Sequence, residues 1–331
     1  MRSYKSIRLT IGLLFISATL FSQITVNKDT ILMGSSFSFT AVHDSPAIAE
    51  KALNAAVKEV VRIEALISSW DEKSVTSEIN RNAGIAAIKV PDELFNLINR
   101  AKKISVLSNG YFDISYASID EIWDFTTDSV TIPTADQLLS SIGKINFENI
   151  ILDSDNKTVY LAEEGMKIGF GSIGKGFAAN RAKIIMIQAG VNAGVVNAGG
   201  DLIAWGEHPE KKPWTIGIVN PLKKNEVAIW LDINETAVVT SGNYEKYIEI
   251  NSEKYCHIIN PKTGWPSRGL SSVTIVCVDA EFADALATTV FVLGVEEGMK
   301  IINHLEGVEG VLIDDFGSVF YSKNLEKNET E

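Results

Sequence analysis

The sequence predicts an α+β fold, with mixed or antiparallel sheets packed against helices, and three observations carry that prediction. Helical periodicity and strand-like runs do not alternate as β-α-β units, so a doubly wound parallel sheet is disfavoured. Two short apolar runs, Ile150–Leu152 and Thr158–Leu161, flank the turn-forming segment Asp153-Ser154-Asp155-Asn156-Lys157, as in a hairpin. Beyond Gly190 the chain is dominated by β-branched and aromatic runs separated by turn residues.

Taken in order, Ile31 to Val42 reads as a strand pair or one long strand with Met33-Gly34 inside it. Pro46 to Trp70 is helical, because Ile48, Ala52, Ala55, Ala56, Val60, Ile63 and Leu66-Ile67 recur near the 3.6-residue period. Pro91-Asp92 opens a second helix that Asn109-Gly110 stops, and Thr134 to Ser141 forms a short third. A glycine-rich turn from Gly169 to Gly176 leads into a helix ending near Gln188. Strands are expected at Val195–Asn197, Trp214–Val219, Val227–Ile233, Ala237–Thr240, Tyr247–Ile250 and Val273–Val278. Helices around Asp284 and from Glu296 to Leu305 follow, and Val311–Ile313 with Ser318–Tyr321 close the core. The charged tail from Lys323 is expected to fray.

Residues 1–22 have the pattern of a secretory signal peptide. Arg2, Lys5 and Arg8 form a basic start, and the apolar run Leu9 to Phe21 is too short to span a bilayer comfortably. No cysteine follows that would accept a lipid, so the expected product is a soluble exported, periplasmic protein in which residues 23–331 form one domain. The chain has a formal charge of −12, and loss of the three basic residues of the leader makes it −15. Such a polyanion without a basic stripe does not suit nucleic acid. Two cysteines, Cys256 and Cys277, lie in apolar strand-like runs and read as free buried thiols in preference to a disulfide, which the sequence leaves open because it does not give their separation.

The segment richest in chemistry is Ala283 to Gly294. It has the composition of a buried helix, yet Asp284 and Thr288 stand four residues apart on one face. An unpaired carboxylate in such surroundings is costly unless it meets a cation. Two adjacent hard oxygen donors suit Mg²⁺, which fills its remaining positions with water and phosphate. The structural alternative is that Asp284 caps the helix and Thr288 bonds back to a carbonyl.

Other motifs are weaker. Gly169 to Gly174 matches G-x-G-x-x-G, and Gly169 to Lys175 matches G-x-x-x-x-G-K. The phosphate-loop reading fails at Gly176, where a hydroxyl residue is needed. The dinucleotide-fold reading fails because Glu163 to Ile168 makes a poor central strand and the next acid, Asp201, is too distant. What survives is a glycine turn opening a helix, with exposed N–H groups and Lys175 beside them, an arrangement that favours an anion. No pair among the four histidines has zinc-ligand spacing; His257 ends a strand before a Pro/Gly turn, where sites are often built.

In order along the chain stand Met33-Gly34-Ser35, Ser77 to Asn80, Gly110-Tyr111-Phe112-Asp113-Ile114, Gly171 to Gly176, Asn197-Ala198-Gly199-Gly200-Asp201, Thr240 to Tyr244, His257 to Gly264 and Ala283 to Thr288. This series closely resembles the ApbE-type FAD:protein FMN transferase family and covers nearly the whole chain after the leader. The resemblance implies an ApbE-like, T-fold-related architecture and transfer of the FMN half of FAD to a threonine of an acceptor protein, forming a phosphoester and releasing AMP. It implies Mg²⁺ on Asp284, Thr288 and the Ser172 carbonyl, and FAD contacts at Met33, Trp70, Tyr111, Phe112, Asp113, Lys175 and His257. His257 and Asp284 are the expected catalytic residues, and the acceptor would be exported or membrane-bound, with the enzyme peripheral to the inner membrane. A Mg²⁺-dependent FAD pyrophosphatase and a non-catalytic FAD-binding protein remain open alternatives. No Asp-x-x-Ser/Thr-Gly-Ala-Thr-like acceptor run occurs in this chain.

Overall fold

Alternation of apolar and polar residues along Ile24–Leu32 (β1) and Ser35–His43 (β2) forms an antiparallel hairpin closed by Met33-Gly34. Both turn residues have positive φ, 49° and 70°, as a tight two-residue turn between twisted strands requires. The pairing thus begins at Ile24, earlier than the sequence indicated. The computed structural model of the chain describes residues 23–325 except 120–121, 124, 126–131, 224 and 252. The leader and the end of the charged tail lie outside the described residues.

The elements that follow are α1 (Pro46–Ile67), α2 (Val75–Arg81), β3 (Ile88–Lys89), α3 (Asp92–Leu107), a 3-10 turn (Ile114–Ile119), α4 (Ala135–Ile142), β4 (Ile150–Asp153) and β5 (Thr158–Leu161). Next come α5 (Gly174–Gln188), β6 (Ala193–Ala198), β7 (Asp201–Trp205), β8 (Trp214–Val219), β9 (Val227–Ile233), β10 (Thr236–Gly242), β11 (Tyr247–Ile250) and β12 (Glu253–Cys256). The described chain ends with β13 (Leu270–Cys277), α6 (Ala280–Leu293), α7 (Val295–His304), β14 (Glu309–Asp314) and β15 (Val319–Tyr321). Besides the 3-10 turn, three elements had no counterpart in the sequence reading: α2 and β3, which are too short to show a period, and β7, whose first residue looked like part of a glycine turn.

The main sheet has eight strands in the order β1-β2-β6-β7-β10-β13-β14-β15, and every neighbouring pair is antiparallel. Its two faces follow the period of two. Phe37, Phe39, Ile203, Trp205, Ala237 and Val239 enter the large core beneath α1, α5 and α6. Val42, Leu202, Ala204 and Val238 point the other way and are covered by Trp214, Ile218, Leu231 and Ile233 of the β8–β9 hairpin. Small residues allow the helices to close up: Ala49, Ala52 and Ala56 of α1 and Ala178, Ala179 and Ala182 of α5 are fully buried. The result is an antiparallel α+β architecture, as the sequence predicts. Both cysteines are free and buried. Among the described residues no helix is long and apolar enough to cross a membrane.

Candidate functional site

Helix α6 places the central carboxylate. Asp279 caps its N-terminus by accepting from the Phe282 N–H at 3.0 Å, and Asn180 of α5 ties the same end through Asp279 and the Ala280 N–H. The hydroxyl that bonds back along the helix is that of Thr289, to the Ala285 carbonyl at 2.7 Å. The two structural roles weighed for Asp284 and Thr288 are therefore filled by Asp279 and Thr289. Asp284 and Thr288 instead line a cavity.

That cavity is built by five segments: the 111–116 turn, the 171–175 start of α5, the end of β10 with Glu245, the 257–261 loop and α6. Of the residues predicted from sequence, Tyr111, Phe112, Asp113, Ser172, Lys175, His257, Asp284 and Thr288 meet there. Residues as far apart in the sequence as Tyr111 and Thr288 thus share one concavity.

The floor is the contact between α5 and α6. Asp284, 2 % exposed, accepts the Gly176 N–H through Oδ2 at 3.0 Å. A Cβ at Gly176 would stand 2.1 Å from the Ala280 carbonyl oxygen and 2.8 Å from the Asp284 Cβ. The position that fails the phosphate-loop pattern is glycine because the helices touch there. Thr288 Oγ1 lies 3.3 Å from Ser241 Oγ across the cavity.

Charge is concentrated around this floor. Lys175 extends from the first turn of α5 and pairs with Asp201 at the start of β7. Burial works against the Lys175 ammonium, but the Asp201 and Asp284 charges outweigh it and hold the group above the ordinary lysine range. Burial, reinforced by Asp284, pushes the Asp201 carboxyl well above the usual carboxylate range despite its lysine partner. Burial likewise raises Glu245, with Lys175 and Asp284 acting in opposite senses. Three carboxylates therefore surround one ammonium, a deficit of positive charge that a cation would correct.

His257 is half-buried, and burial lowers its pKa. Its Nδ1 lies 3.0 Å from the Lys246 carbonyl, and its backbone N–H donates to the same oxygen at 3.1 Å. A carbonyl only accepts, so in the neutral ring Nδ1 carries the proton and Nε2 keeps its lone pair.

Asp113, Met33 and Trp70 have the following surroundings. Asp113 is buried, and its oxygens accept the Ser115 N–H and hydroxyl (2.8 and 2.6 Å) and the Phe147 N–H (2.8 Å). It fixes the aromatic turn below Tyr111, and burial raises its pKa. Met33 sits in the β1–β2 turn outside the cavity lining, with its Cε 3.6 Å from where a Gly174 Cβ would stand. Trp70 is 78 % exposed and lines a second depression with Ser77, Asn80, Arg81, Ala117 and Lys167. That depression adjoins the cavity, since Tyr116 borders one and Ala117 the other.

Sequence reasoning did not single out Tyr116, Thr288's partner Ser241, Glu245, Asp201 or the apolar wall of Ile258, Ile259 and Val292 as site residues. Ser241 and Asp201 lay within motifs already noticed. Glu245 and Tyr116 gave no local signal.

A family model described as the ApbE family matches residues 33–312. Among curated proteins, an FAD:protein FMN transferase of Klebsiella pneumoniae is 29 % identical over 86 % of this chain and 87 % of its own length. One from Treponema pallidum is 29 % identical over 79 % of this chain and 77 % of its own. Among solved structures, an ApbE protein of Thermotoga maritima has 30 % identity and a TM-score of 0.85, covering 91 % of this chain and 97 % of that one. The flavinyl transferase ApbE of Pseudomonas stutzeri shares the fold at a TM-score of 0.81 and 24 % identity, covering 92 % and 96 %. With the family's pattern running from the β1–β2 turn to β14 and the same overall architecture, this chain belongs to the ApbE family.

Proposed function

We propose that the protein is an FAD:protein FMN transferase that uses Mg²⁺ to join FMN to a threonine hydroxyl of an acceptor protein, with release of AMP. The observation that carries this reading is the meeting of Asp284 and Thr288 on α6 with Ser172 and Lys175 at the start of α5 around one cavity. The names of the relatives supply the reaction class, and the site's chemistry is compatible with it.

The donor set fits a hard divalent cation. Among the described residues no three His, Cys, Asp or Glu side chains converge as a self-sufficient metal cluster. One carboxylate, one hydroxyl and a backbone carbonyl leave positions for phosphate oxygens and water, which is how Mg²⁺ is commonly held. Asp201 Oδ1 is buried without a hydrogen-bond partner nearby, a further sign that the local charge balance lacks a cation. Asp284, Thr288 and the Ser172 carbonyl would hold the ion. When bound, it supplies neutralisation of charge on the diphosphate.

The protein's own groups would do the rest. Lys175 and the N–H groups opening α5 face the negative phosphates, helped by the helix dipole. Tyr111 and Phe112 offer an aromatic wall, and the adjoining Trp70 depression gives an extended dinucleotide room beyond the cavity. In the transfer, the acceptor oxygen bonds to the FMN phosphorus while the bond from that phosphorus to the bridging oxygen of AMP breaks. His257 Nε2 has the lone pair to take the hydroxyl proton. We place the reaction outside the cytoplasm on the strength of the leader-like residues 1–22.

The test is incubation with FAD and Mg²⁺, first alone and then with an exported candidate acceptor domain, followed by mass spectrometry of the acceptor and AMP quantification. Transfer predicts covalently bound FMN on threonine and acceptor-dependent AMP. Rapid FMN release without acceptor would favour hydrolysis, and no AMP in either arm would overturn enzymatic turnover.

A further inference from the structure

Lys175 has three carboxylates within electrostatic reach, Asp201, Asp284 and Glu245, and in this structure it pairs with Asp201. The choice matters, because Asp284 is the one side-chain carboxylate that the metal reading requires. An ammonium resting on Asp284 would compete with a divalent cation for the same oxygens. Asp201 is 1 % exposed, uses Oδ2 for Lys175 and leaves Oδ1 buried with no partner.

A carboxylate this deeply buried needs a strong reason to be there. The turn before it is built to hold it. Gly199 and Gly200 have φ of 63° and 104°, conformations open to glycine, and the Asn197 side chain accepts the Gly200 N–H at 2.8 Å. A Cβ at Gly199 would stand 2.9 Å from the Ser35 Cβ, so the turn is pressed against the β1–β2 hairpin. The stem of Lys175 passes the same glycine, with its Cδ 3.8 Å from that Cβ position. Rigid backbone, not a mobile side chain, therefore fixes where the competing carboxylate stands.

We infer that Asp201 is a positioning residue that draws the Lys175 ammonium away from Asp284, keeping Asp284 available to the metal and Lys175 aimed at the phosphates. The inference rests on the proposed metal and dinucleotide reading of the cavity and adds a residue that acts through Lys175. Without the Asp201 charge, Lys175 turns to Asp284 and the metal meets an occupied ligand.

The probe is Mn²⁺ with saturating ADP, its binding followed by electron paramagnetic resonance on the whole protein, with thermal melting as a check of folding. Asp201→Asn is expected to weaken Mn²⁺ binding about 10–100-fold, the usual range for a residue behind a metal ligand. Lys175→Met added to Asp201→Asn is expected to restore Mn²⁺ affinity to within about threefold of Lys175→Met alone, because no ammonium remains to occupy Asp284. A merely structural role predicts losses that add, with no rescue. Unchanged affinity in Asp201→Asn, or a double variant as weak as Asp201→Asn, overturns the inference. Should the Asn variant not fold, Asp201→Glu keeps the charge and must bind Mn²⁺ within about threefold of wild type; a loss of about tenfold with normal melting overturns it too. Failure of the wild-type protein to bind Mn²⁺–ADP would instead sink the underlying reading of the cavity.

Discussion

Gly176→Ala is the most demanding test of how α5 and α6 build the floor of the site. The added methyl would lie 2.1 Å from the Ala280 carbonyl oxygen, 2.6 Å from its carbon and 2.8 Å from the Asp284 Cβ. Ordinary contacts are about 3.4 Å or more, so the helices must part by roughly 1 Å, and the obstacle is backbone that cannot rotate away. Overpacking of this kind costs about 1–3 kcal/mol. Stretching the Gly176 N–H to Asp284 bond, now 3.0 Å, adds about 1 kcal/mol. The expected loss is therefore about 2–4 kcal/mol, only partly offset by alanine's better helix propensity. Urea denaturation reads the stability, and acceptor flavinylation well below the melting temperature reads the site. A displacement of about 1 Å between Lys175 and Asp284 predicts a rate loss of roughly 100-fold beyond any unfolded fraction. Gly143→Ala is the control, since it is right-handed helical with its nearest neighbour at 3.5 Å, and should stay within about 0.5 kcal/mol. A Gly176→Ala protein with wild-type urea midpoint and transfer rate would refute the close-contact argument.

Two further predictions concern single side chains. Asp284→Ala should lower transfer by at least about 1,000-fold while far-ultraviolet circular dichroism stays native, because one buried hydrogen bond is lost but a crowded carboxylate is removed; full activity would remove Asp284 from the site's chemistry. His257 has a pKa depressed below its ordinary 6.5 mainly by burial, so the folded protein binds a proton there less readily than the unfolded chain. Its contribution to stability is complete above about pH 6.5 and is lost as the pH falls through the lowered folded value. His257→Gln should therefore flatten the decline in stability below pH 6.5, measured as urea midpoints at pH 7.5, 6.5 and 5.5; an unchanged decline would show that the ring is not so buried.

Local pattern made much of this protein legible. The period of α1, the glycine stop after α3, the β4–β5 hairpin and the short helix α4 each follow from neighbours within one or two turns. Asp284 and Thr288 were visible because a carboxylate and a hydroxyl one turn apart contradict an otherwise apolar helix. Other positions have the opposite character. Asp113 reads the same from sequence whether it faces a ligand or holds Ser115 and Phe147, and only the path of the 147 segment decides for the latter bonds. Trp70 follows a helix end, and nothing local tells whether its indole turns into the cavity or into the neighbouring depression.

By itself, then, the sequence determined most of the element inventory, the α+β class and the oxygen pair on α6, since these depend on periodicity and turn chemistry over short spans. Tertiary structure alone decided that Asp201 rather than Asp284 takes the Lys175 ammonium, that Gly176 is glycine for helix contact, and that Glu245 joins the cavity. Those facts are distances and charges between segments that only the eight-stranded sheet brings together, and electrostatic preference among buried groups does not exist until the chain has excluded water from them.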